Sequence, residues 1–140
     1  LWRKKMSLKQ SCIDACLKCA TDCEFCLDAM IGKESDNDCP HCCRECVDIC
    51  LYTAQALARN SKYSSQISQL CADICTWCAE QCEAHEHYHC QACAASCRKW
   101  NAKKSSLSDS RCIPGEQHDS IVFRTHGGCR GNCELTPLVP

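Results

Sequence analysis

Between residues 12 and 97, cysteines recur at steps of three and four. They fall into four groups: Cys12, Cys16, Cys19, Cys23 and Cys26; Cys39, Cys42, Cys43, Cys46 and Cys50; Cys71, Cys75, Cys78 and Cys82; Cys90, Cys93 and Cys97. At 100° per residue the first group covers about 80° of a helix circumference and the second about 100°. Each group is therefore a stripe on one helical face. Polar residues and helix formers such as Asp14, Lys18, Glu45, Asp48, Glu80 and Arg98 fill the positions between.

The stripes must be the core, because little else can be. Leu, Ile, Val and Phe together number 22 of 140 residues, whereas Cys alone numbers 20. A chain that poor in large apolar side chains folds only if its thiols pack as small hydrophobes. The net charge of −1 excludes a basic nucleic-acid surface. No apolar run approaches the ~20 residues that span a bilayer.

Breaks separate the stripes. Residues 32–38, Gly-Lys-Glu-Ser-Asp-Asn-Asp, end one helix, and Pro40 suits the first turn of the next. Arg59-Asn60-Ser61-Lys62 makes the second break. The third, between Cys82 and His87, lacks Gly and Pro. Four helices with short connections predict an all-α, antiparallel up-down-up-down bundle with a Cys-lined core over residues 6–104. Residues 105–140 carry three of the four Pro and four of the five Gly, so an irregular C-terminal tail is expected there. The tail holds Cys112, Cys129 and Cys133, most simply without a role. Arg3-Lys4-Lys5 reads as a frayed start with no apolar stretch after it. That lacks a secretory pattern and points to a reducing cytoplasm. Either Met6 is the natural start, or a leader was removed before Leu1.

The spacing sorts the chemistries. Cysteines four apart on a helix have Cβ atoms about 5–6 Å apart, whereas disulfides want about 3.5–4.5 Å. A disulfide scaffold is disfavoured, and one ion held between two sulfurs suits the gap. Zinc usually takes separated sets of four on tight turns. The ferredoxin run of Cys-x2-Cys-x2-Cys-x3-Cys-Pro is absent. Soft thiolates select Cu(I). One monovalent cation per thiolate leaves the core near neutral, which relieves the burial penalty. The candidate copper ligands are all seventeen cysteines of the four groups. A zinc or mixed-metal thiolate buffer is the first alternative. A thiol redox protein is the second, with Cys39/Cys42 closest to an active pair near a helix N-terminus. No catalytic triad, phosphate loop or carboxylate pair points to an enzyme.

Topology brings Met30, Cys39, His41, His85, His87 and His89 to one end of the bundle. Met30, His85, His87 and His89 are candidate ligands at a mouth through which Cu(I) enters; His41 points away from its stripe and is expected on the surface. Leu8, Leu57, Ile67 and Trp100 extend the stripes the other way and would plug the far end.

The stretches CIDACLKCATDCEFC, CPHCCRECVDIC, CADICTWCAEQC and HEHYHCQACAASCRKW resemble the bacterial four-helix-bundle copper storage proteins. The resemblance covers about residues 6–104. It implies multiple Cu(I) ions stored inside each bundle, a His-rich access end, a homotetramer, and exchange with a copper chaperone or recipient. Exported members carry a twin-arginine leader and this chain shows none, so the cytosolic kind is implied. The tail has no counterpart in the family.

Overall fold

The computed structural model describes residues 2–109. They form four helices: α1 (Trp2–Met30), α2 (Cys39–Ala58), α3 (Ser64–Glu83) and α4 (Tyr88–Asp109). α1 packs on α2 and α4, and α3 packs on the same two, so the helices close a square ring in the expected up-down-up-down order. All seventeen cysteines of the four groups are buried, and each is reduced. Around them pack small residues, Ala15, Ala20, Ala54, Ala79 and Ala94. Small side chains let the helices approach closely enough for thiols to fill the interior.

Local chemistry sets the breaks. After α1, Gly32 adopts φ 72°, a left-handed conformation that suits glycine at a helix end. After α2, Asn60 takes φ 53°. Its N–H donates to the Leu57 carbonyl at 3.3 Å, and the Ser61 N–H donates to Ala56 at 3.0 Å. This pair of bonds is the Schellman closure. Asn tolerates the left-handed region better than most residues, and the Asn60 side chain also accepts from Lys9 Nζ of α1 at 2.6 Å. Pro40 sits in the first turn of α2, as expected. The third break is a short turn over residues 84–87, closed by the His85 N–H on the Cys82 carbonyl.

Two ends differ from expectation. Arg3 and Lys4 lie within α1 rather than in a frayed start. α4 runs to Asp109, five residues into the stretch expected to be irregular. Ser105 and Ser106 donate their hydroxyls to the Asn101 and Ala102 carbonyls, and Leu107 packs against the core, which ties the last turn down. The expectations for Cys112, Cys129 and Cys133 fall outside the described residues.

α1 and α4 also share a buried polar contact. Asp22 accepts from the Ser96 hydroxyl and pairs with Lys18. It is the one buried acidic side chain among the described residues.

At the end away from the histidines, Trp100 is fully buried and Leu57 nearly so. Leu8 and Ile67 are half-buried. The plug thus rests on Trp100 and Leu57, with Leu107 beside the core. Replacing Trp100 with Ala should lower the stability of the metal-free protein by about 3–5 kcal/mol. Thermal unfolding followed by helical circular dichroism measures this; an unchanged midpoint would remove Trp100 from the core's support.

Candidate metal centre

The helices deliver one sulfur after another to the bundle axis. Many thiols approach within 4.0 Å, and these approaches form two sets. The upper set is Cys23, Cys26, Cys39, Cys43, Cys78, Cys82, Cys90 and Cys93, with Sγ–Sγ distances from 3.2 Å (Cys23–Cys93) to 4.0 Å (Cys26–Cys39). The lower set is Cys19, Cys46, Cys50, Cys71, Cys75 and Cys97, spaced 3.5–4.0 Å. Cys12, Cys16 and Cys42 stand beside these sets. Cys12 Sγ donates to the Lys103 carbonyl at 3.7 Å, and Cys42 Sγ to the Cys39 carbonyl at 3.2 Å. Cys16 interacts with Cys71.

These distances suit bridging by soft ions. With metal–thiolate bonds of about 2.3 Å, two sulfurs on one ion stand about 3.8–4.0 Å apart at tetrahedral or trigonal angles, and about 4.6 Å apart in line. Several quartets hold all their sulfurs within 4.8 Å of one another. One is Cys19, Cys46, Cys75 and Cys97, a sulfur from each helix; another is Cys26, Cys39, Cys43 and Cys82. The closest i,i+4 pairs, such as Cys46–Cys50 and Cys78–Cys82, are 3.9 and 4.0 Å apart. That is about twice a disulfide bond length. Cys39 and Cys42 have no exposed surface, unlike an active redox pair.

The expected mouth forms above the upper set. Met30 Sδ lies 3.7 Å from Cys39 Sγ and 3.9 Å from Cys26 Sγ. His89 Nδ1 lies 3.4 Å from Cys26 Sγ and 3.3 Å from Cys90 Sγ, so His89 with these two thiols makes a three-donor site. His85, His87 and His89 stack, with ring centroids 6.4 and 5.4 Å apart. With Met30, Lys33, Glu34 and Cys90 they line a cavity of about 50 Å³. His87 is exposed, His85 and His89 half-buried; His41 is exposed, as expected.

A support for this mouth escaped the sequence reading. Asn37 accepts the Cys39 N–H through Oδ1 at 2.9 Å and donates through Nδ2 to the Gln81 carbonyl at 2.9 Å. Its amide orientation is thereby fixed. His85 Nε2, 2.9 Å from the same Oδ1, must be the protonated nitrogen. That leaves Nδ1 as the acceptor nitrogen of His85. Asn37 stands just before a helix start, and that position was the one available signal of a side chain bonding a first-turn N–H.

Burial favours the protonated thiol at Cys12 and Cys90. It pushes Cys12 above the usual 9.0, with Lys103 pulling the other way. Burial, then the neighbouring Cys26 and Cys39, pushes Cys90 up too. A folded-state value above the unfolded one means that folding holds these protons more tightly. The resulting stability is fully present below about pH 9 and is lost as pH rises through the folded values. The metal-free protein should therefore show a flat thermal midpoint from about pH 7 to 8.5 and a falling one above about pH 9. A midpoint that rises across that range would contradict protonated Cys12 and Cys90.

Comparison with known proteins gives one consistent answer. The family described as Csp, copper storage protein, matches residues 5–108. The uncharacterized cysteine-rich protein YhjQ of Bacillus subtilis (strain 168) is 38% identical over 88 residues, 61% of this chain and 82% of the relative. The Cu(I)-bound copper storage protein BsCsp3, from Bacillus subtilis, superposes with a TM-score of 0.68 at 34% identity, over 71% of this chain and 97% of that one. A cytosolic copper storage protein from Streptomyces lividans, solved with five coppers, gives a TM-score of 0.67 at 30% identity, over 79% and 96%.

Proposed function

The chain belongs to the copper storage protein family, and on that premise we propose that it stores multiple Cu(I) ions on the buried thiols of its bundle. The carrying observation is the pair of thiol sets, in which fourteen reduced and buried cysteines stand at ion-bridging distances along one axis, with Cys12, Cys16 and Cys42 buried beside them. The ligands are Cys12, Cys16, Cys19, Cys23, Cys26, Cys39, Cys42, Cys43, Cys46, Cys50, Cys71, Cys75, Cys78, Cys82, Cys90, Cys93 and Cys97. At the mouth, Met30, His85, His87 and His89 receive the ion, and His89 passes it to Cys26 and Cys90.

Each Cu(I) that enters displaces a thiol proton, so the core stays neutral as it fills. Tight binding and slow exchange are the whole task, and no catalysis is needed. The zinc-buffer alternative draws no support from the similar structures, of which BsCsp3 is Cu(I)-bound and the Streptomyces protein holds five coppers.

The setting is the cytosol, as for the Streptomyces relative. The assembly is a homotetramer, as the resemblance implies, and a copper chaperone or recipient exchanges ions at the mouth. Leu17, Phe25 and Leu51 are exposed by 44%, 66% and 42%, and contacts between copies would cover them.

An anaerobic titration of the reduced protein with Cu(I) against a competing chelator tests the reading, with Zn(II) in parallel. The expected result is about one copper per core thiol, weak zinc binding and unchanged helicity. Saturation at about four zinc ions, with copper bound only on unfolding, would replace storage with zinc buffering. His89→Ala should slow uptake about tenfold or more, and should lower capacity by about one ion or less. Uptake at the wild-type rate would remove His89 from the path.

A further inference from the structure

The bundle carries opposite charge at its two ends. Around the mouth, Asp28, Glu34, Asp36, Asp38 and Glu86 are exposed and enter no ion pair among the described residues. Lys33 is the one Lys or Arg in the two connections at this end. The floor is basic. α1 opens with Arg3 and Lys4, the connection after α2 carries Arg59 and Lys62, and α4 ends through Lys103 and Lys104. A helix of about 20 residues holds these poles about 30 Å apart, several Debye lengths of about 8 Å. A visitor therefore feels one pole or the other, not their neutral sum.

The rim acids are not there to bind copper. Carboxylate is a hard donor, and the softer donors Met30, His89, Cys26 and Cys90 already stand at the opening. Their charge is left to act outward. Two apolar side chains stand among them: Tyr88, which opens α4, is 87% exposed, and Ile31, just after α1, is 75% exposed. Exposed apolar groups rimmed by charge mark a protein-binding surface. Beside the mouth lies a groove of about 580 Å³, whose lining includes Asp28, Tyr88 and His89. His89 thus meets the groove as well as Cys26 and Cys90, which lie 3.4 and 3.3 Å from its Nδ1.

We propose that this acidic rim, with the groove beside it, is the docking surface for a protein that exchanges Cu(I) from a basic face. The proposal rests on the storage reading and gives the chemistry of the partner at its mouth. A lysine or arginine laid in the groove meets the Asp28 carboxylate and the ring of Tyr88, next to His89. Steering by such a field raises association rates by about tenfold or more at low salt. A partner with an acidic copper-bearing face is repelled at the mouth and drawn to the floor, where Trp100 and Leu57 close the bundle.

The first test titrates the reduced, metal-free full chain with an octalysine peptide and follows backbone amides by NMR. Shifts should gather at residues 31–38 and 84–89, and octaglutamate should instead gather at the floor. The variant Asp28→Asn/Asp36→Asn/Glu86→Gln should weaken octalysine binding about tenfold or more. The variant Asp14→Asn/Asp48→Asn/Asp73→Asn removes the same charge from the flanks and should weaken it about twofold or less. Octalysine shifts spread over the whole surface, or equal losses in the two variants, would overturn the docking surface.

The second test follows Cu(I) transfer under anaerobic conditions from two small donors, the cationic neocuproine complex and the anionic bathocuproine disulfonate complex. Raising salt from about 20 to about 200 mM should slow the first and speed the second, each about threefold or more. A salt effect of the same sign on both would also overturn the proposal. If neither donor loads the chain, it is the storage reading that fails, and the peptide titration still decides the rim.

Discussion

Seventeen thiols can share one interior only while each keeps its proton or exchanges it for a metal ion. Everything else in the structure follows from that condition. A protonated thiol packs as a small hydrophobe, so the bundle has a core before any ion arrives. A bare thiolate in the same place would be an unpaired buried charge. Burial therefore sets both the stability of the empty protein and the terms on which it accepts cargo. Helices meet this condition better than loops would. Their backbone polar groups are satisfied within each helix, and the bundle axis is left to the cysteine sulfurs.

That constraint is why so much was legible in the sequence. A stripe of residues at steps of three and four has one face, and that face must be buried. Gly32 and Asn60 marked the turns because left-handed backbone demands such residues. The histidine end followed from topology alone, since the first and third connections of such a bundle lie together. Periodicity could not show what depends on neighbouring helices. Leu107 lies in a serine-rich stretch that reads as loop, yet it packs against the core and carries α4 onward. The role of Asn37 emerges only when Gln81 and His85 come from another connection to meet it.

The two ends of the bundle do opposite things with the same helical register. At the mouth the stripes run into Met30 and His89, whose soft and borderline donors continue the sulfur path outward. At the floor they run into Trp100 and Leu57, which offer no ligand and exclude water. A core open at one end gives a single direction of traffic.

Charge selects the cargo as firmly as sulfur does. Among the described residues no Lys or Arg is buried, and the one buried acid, Asp22, is already engaged by Ser96 and Lys18. Nothing in the interior could balance a net charge on the metal sites. A divalent ion on four thiolates leaves two negative charges in the core, whereas a monovalent ion on each thiolate leaves none. A single zinc ion could find the right geometry in the Cys19, Cys46, Cys75 and Cys97 quartet, with its sulfurs within 4.8 Å of one another. Filling every quartet that way would accumulate uncompensated charge with each step. Filling with Cu(I) does not, because each ion replaces a proton of equal charge. The capacity of the store is then limited by the number of sulfurs rather than by repulsion among its contents.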